Sequence, residues 1–102
     1  MALRINASVK IREWSPQAAQ VFEAGTRASR KFGHDVYLTS VNDGRSHSNT
    51  SFHYDDLGWD LGVAGNVRSK LVPLHRYVRR WLPPAFQELL EAKHVHVEWD
   101  AN

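Results

Sequence analysis

The sequence contains no cysteine among its 102 residues. That excludes a disulfide framework, a thiolate nucleophile and a Cys-ligated zinc site, so any metal would have to be held by histidine and carboxylate. No apolar run approaches the roughly 18 residues of a membrane span. The opening residues Met1-Ala2-Leu3-Arg4-Ile5-Asn6 also lack the apolar core, about 7–15 residues long, of a secretory signal. The expectation is a chain made in the cytoplasm with no membrane partner. Excess charge of one sign is scarce too, with 13 Lys and Arg against 11 Asp and Glu and a formal net charge of +2. Five of the basic residues, Arg68, Lys70, Arg76, Arg79 and Arg80, fall in one stretch. They read as the solvated face of a helix, and no nucleic-acid partner is expected. What the chain does have is 42% hydrophobic residues, including four Trp, four Phe and three Tyr. A chain of this length buries roughly 65% of its unfolded surface, which fits one domain over residues 1–102, expected to be a monomer. Six histidines beside a single Met are the compositional oddity.

Residues 3–14 read as a first strand or extended arm. Ser15-Pro16 supplies an N-cap and a proline at the first helical position, and Gly33 a stop, which brackets a helix over about 16–32. Gly25 lies in its apolar stripe, where another element can approach closely. Residues 35–41, Asp-Val-Tyr-Leu-Thr-Ser-Val, read as a strand buried on both faces. The ten residues Asn42 to Ser51 carry no apolar side chain and read as a functional loop. In a second strand over about 57–63, Leu57, Trp59, Leu61 and Val63 point one way and Gly58, Asp60 and Gly62 the other. Helical spacing returns between Asn66 and Leu82, with Pro73 kinking that helix or opening its second half, and Pro83-Pro84 ends it. Phe86–Glu91 and His94–Trp99 read as two short strands joined at Ala92-Lys93. The sum is an α+β domain, a small and largely antiparallel sheet backed by helices, with the four tryptophans in the core.

Four histidines lie in two segments that also carry carboxylates, Ser46 to Asp60 and Glu91 to Glu98. A catalytic zinc site takes three protein ligands from His and Asp or Glu and leaves one position to water. His53, Asp60 and one histidine of the tail would supply that set. Residues seven apart on a strict strand face opposite ways, so His53 must sit on a loop that bends into the strand carrying Asp60. A carboxylate beside the metal would serve as general base. His34 and His75 read as surface or helix-end residues, and His47 as a loop residue that either supports the metal ligands or is simply solvated. Glu98 follows on the face of His94 and His96, and reads either as orienting a ligand's other ring nitrogen or as an ordinary edge-strand carboxylate.

The stretch Ser51-Phe52-His53-Tyr54-Asp55-Asp56-Leu57-Gly58-Trp59-Asp60 resembles the Ser-x-His-x-x-Gly-x-Ala-x-Asp motif of the zinc D-alanyl-D-alanine peptidases and of the Hedgehog domain that shares their fold. Glu91-Ala92-Lys93-His94-Val95-His96 resembles the closing Glu and His-x-His of the same superfamily, and Thr39 to Arg45 its substrate-arginine strand and loop. The resemblance spans residues 36–99 and is closest in form to small phage-encoded members. Asp56 and Gly58 stand where the motif has Gly and Ala. The resemblance implies His53 and Asp60 as zinc ligands, with His96 as the third in the His-x-His register and His94 contacting substrate. A Glu-x-x-His register would make His94 the ligand instead. In both, Glu91 is the general base, and Arg45 pairs with a substrate carboxylate or polarises the scissile carbonyl. The implied activity is a Zn2+-dependent peptidase cutting peptidoglycan stem peptides, as carboxypeptidase or endopeptidase, with access to the cell wall through phage lysis or export. The alternative is a non-catalytic, metal-containing binding module on the same fold.

Overall fold

The computed structural model describes residues 1–11, 14–42 and 57–99. Along the chain run β1 (Leu3–Ile5), α1 (Pro16–Phe32), β2 (Val36–Asn42), β3 (Leu57–Gly62), a 3-10 turn (Ala64–Asn66), α2 (Arg68–Trp81), β4 (Phe86–Leu90) and β5 (Val95–Trp99). The architecture is α+β, as expected, with five strands in the order β1-β2-β3-β5-β4. The sheet is mixed: β1 runs parallel to β2, and the other three pairings are antiparallel.

Local chemistry sets the ends of α1. The Ser15 side chain accepts a hydrogen bond from the Ala18 N–H at 3.0 Å, Pro16 follows at the start, and Gly33 closes the helix in the left-handed region at φ 72°. Gly25 does admit a neighbour. A Cβ built on it would lie 2.9 Å from Leu3 Cδ1, so β1 is laid against α1 at the one helical position without a side chain. In α2, Pro73 lies inside a single helix and does not divide it, because the element continues from Arg68 to Trp81.

The apolar faces of both helices meet one face of the sheet. Val21, Ala24 and Ala28 of α1 and Leu71, Leu74 and Val78 of α2 are buried against Val36, Leu38, Trp59, Leu61, Val95 and Val97. The period-two alternation expected for β3 holds: Trp59 and Leu61 are buried with the core, while Asp60 turns to the opposite face. Three expectations are corrected. β2 is covered chiefly on the side of Val36 and Leu38, so it is not buried on both faces: Tyr37 and Thr39 are half-buried and Ser40 is exposed. Trp14 is 62% exposed, packing edge-on against Phe22 at 5.1 Å outside the core. Trp81 and Trp99 are only partly buried at its margin.

The side of the sheet away from the helices carries polar side chains. Register fixes which of them are neighbours: Asp60 pairs directly with His96, Gly58 with Glu98, Leu89 with His96 and Gln87 with Glu98. Cross-strand partners project from the same face, so the polar positions of β3 and β5 and the outward positions of β4 form one continuous surface.

Candidate metal centre

The site is assembled by one long-range pairing and one tight hairpin. Asp60 is 36 residues from His96 in sequence but directly opposite it across the β3–β5 ladder, and its Oδ1 lies 2.7 Å from His96 Nδ1. The hairpin supplies the rest. Leu90 and Val95 form its last ladder pair and point into the core, so by alternation Glu91 and His94 emerge on the polar face. The Glu91 N–H donates to the His94 carbonyl at 2.9 Å across the tip formed by Ala92 and Lys93, and Arg68 Nη1 donates to the Glu91 carbonyl at 3.3 Å. Held at both backbone groups, Glu91 brings Oε1 to 2.6 Å from His94 Nε2, which is itself 3.4 Å from Asp60 Oδ1.

Gly58 gives His96 its seat. A Cβ there would stand 3.3 Å from His96 Cε1, so the imidazole lies over the glycine and buries it. On the far side of the ring, Nε2 faces Glu98 Oε1 at 3.4 Å. His96 thus has a carboxylate at each nitrogen. Partial burial by itself pulls its pKa down, but the hydrogen bonds to Asp60 and Glu98, with the charges of Asp60 and Glu91, outweigh that and hold it above the usual imidazole value.

Asp60, Glu91 and His96 form a possible metal-binding group, with one donor atom from each within 4.8 Å of the others. A shared ion about 2.0–2.2 Å from each donor spans at most about 4.4 Å, so small side-chain adjustments suffice to close the group. The donors are carboxylate oxygen and imidazole nitrogen, a set that suits zinc among other divalent ions. The residues fit the metal that the motif implies.

Of the residues singled out in the sequence, Asp60, Glu91, His94 and His96 converge on one point. Arg45, His47 and His53 lie outside the described residues. His94 and His96 both reach Asp60, with His96 the nearer by 0.7 Å, the difference between 3.4 and 2.7 Å. Glu91 is in contact with His94 and also a member of the possible ligand group, so one carboxylate stands where either a base or a ligand would. His75 has a structural role that sequence reasoning did not give it: Nε2 lies 2.9 Å from the Glu88 carbonyl, fastening α2 to β4. Gln87 and Leu89, the cross-strand neighbours of Glu98 and His96, border the site as well. No motif marks those two, because their position depends on β4 pairing with β5 at the sheet edge.

Among the described residues, no helix is long and apolar enough to cross a membrane. In comparisons with family models, curated proteins and solved structures, the chain matches none.

Proposed function

We propose that the chain is a zinc-dependent metallopeptidase acting on peptide bonds of peptidoglycan stem peptides. One observation carries this reading. Two motif segments far apart in sequence, one ending in Asp60 and the other running from Glu91 to His96, meet with Asp60 and His96 2.7 Å apart and Glu91 in the same group. Asp60 and His96, with His53 as the motif implies, would hold the ion. Bound zinc would supply a polarised scissile carbonyl and a water acidified towards a pKa of about 7. Glu91 accepts the proton of the attacking water and delivers it to the leaving amine, working from a backbone fixed by its hydrogen bonds to His94 and Arg68. His94, beside Glu91, donates a hydrogen bond to the carbonyl oxygen as negative charge builds there, and Arg45 binds the substrate carboxylate. Glu98 holds the outer nitrogen of His96 and so keeps the ring turned towards Asp60.

Glu91 supports a second reading, a non-catalytic metal-containing binding module. With Asp60, Glu91, His96 and His53 all as ligands, a four-coordinate centre is closed and no position is left for water. Zymography on cell-wall sacculi and metal analysis of Glu91→Ala separate the two. The peptidase reading expects lysis by the zinc-loaded wild type and no lysis, with zinc retained, in the variant. Absence of lysis by the wild type overturns it, and loss of zinc in the variant makes Glu91 a ligand.

A further inference from the structure

On the helical side of the molecule, a groove of about 660 Å3 opens between the end of α1 and the middle of α2. Phe32, Pro73 and Tyr77 form its walls, and the exposed side chains of Lys31, Arg76, Arg79 and Arg80 ring it. Among the described residues, no carboxylate is part of the lining. Arg79 is partly engaged by the charge of Glu88. Lys31, Arg76 and Arg80 have no ion pair among the described residues.

Cations are favoured in the last turn of a helix by its dipole, and that accounts for Lys31 in α1 and for Arg79 and Arg80 in α2. It does not account for Arg76, a turn earlier, nor for two helices directing their cations into one groove. Bringing four positive charges around an apolar trough carries a repulsive cost that an anionic occupant would relieve.

The aromatic rings narrow the class of anion. Single-stranded nucleic acid is bound where basic grooves offer open ring faces for its bases. Here Phe32 is already engaged by two neighbours, Tyr77 in a T-shaped contact at 5.8 Å and His34 stacked at 6.2 Å. Among the described residues, Asn, Gln and Ser, the neutral side chains that read base edges, are missing from the lining. The groove offers four cations along an apolar trough, and their charge is complementary to a chain of phosphates.

We propose that this groove binds a linear phosphodiester polyanion built on a polyol backbone. Because it lies on the helical side and the candidate metal centre on the open sheet face, its occupancy is read independently of lysis.

The test is fluorescence anisotropy of the full chain with labelled poly(glycerol phosphate), run as a salt series. Three neutralised phosphates give an expected slope of about −2 for log affinity against log salt. The Arg76→Ala/Arg80→Ala double variant is expected to bind roughly tenfold more weakly or worse, with a shallower slope, and Lys10→Ala, outside the groove, to bind as the wild type. Lys31→Gln alone, expected to weaken binding a few-fold, keeps the test open if the double variant does not fold. Wild-type affinity in these groove variants overturns the proposal. So does tighter binding of oligothymidylate with the same number of phosphates, or of phosphatidylglycerol vesicles, than of the polyol phosphate.

Discussion

The two faces of the sheet are built from the same strands, residue by residue in alternation, yet they obey different rules. On the covered face, Leu38, Leu61, Val95 and Val97 are fully buried beneath the helices, and each is held by shape and by removal from water. On the open face, Asp60, His96, Glu91 and Glu98 are neighbours of compatible chemistry that remain partly solvated. Asp60 and Leu61 are adjacent in sequence and serve opposite ends. Stability resides in one face and candidate chemistry in the other, so substitutions on the two faces should separate cleanly.

The largest effect expected is on the open face. Glu91→Ala should lower lytic rate by about 10²–10⁴-fold, equivalent to about 3–5.5 kcal/mol of barrier, with an unchanged unfolding midpoint. Turnover assays beside thermal melts check both halves. Next comes Leu61→Ala on the covered face, which should cost about 2–5 kcal/mol in denaturant unfolding while the folded protein still binds zinc. Its neighbour Asp60→Ala should do the reverse, losing zinc on equilibrium dialysis while stability changes by about 1 kcal/mol or less. Should Asp60→Ala unfold the protein as severely as Leu61→Ala, the division between faces would be broken.

The smallest effect sharpens the comparison at an exception to it. Glu88 is a carboxylate on the covered face, opposite Val97, and its Oε2 is buried with no hydrogen-bond partner among the described residues. Burial pushes its pKa up, against the opposing charge of Arg79. A carboxyl whose folded pKa is raised contributes stability below its unfolded pKa and loses it as pH rises through the folded value. Glu88→Gln should therefore stabilise the fold slightly near neutral pH, with the gain vanishing towards pH ~4, and melts across that range would show the crossover.

How much of this was legible in the sequence depended on whether the signal was local. The cap and stop of α1, the alternation in β3 and the β4–β5 hairpin each sit in a few contiguous residues, and each was readable. Strand order was not. Nothing near Leu3 announces its parallel pairing with Val36, and nothing near Leu89 announces that it flanks His96. Trp14 was misplaced because a large apolar residue predicts burial, whereas its aromatic partner Phe22 is itself only half-buried and holds it at the rim. The convergence of Asp60 with His96 was readable only through spacing in two motifs, because the cross-strand pairing that brings them together leaves no mark on either segment.

That pairing has one more consequence. Side chains alternate with a period of two, so a one-residue slip between β3 and β5 would send Asp60 under the helices and push Leu61 out to solvent. Glu91, His94, His96 and Glu98 would still travel together on their hairpin, but without the aspartate. Ion affinity at the open face, once measured, would thus double as a proofreading signal for the sheet, since only correctly aligned strands complete the possible donor set.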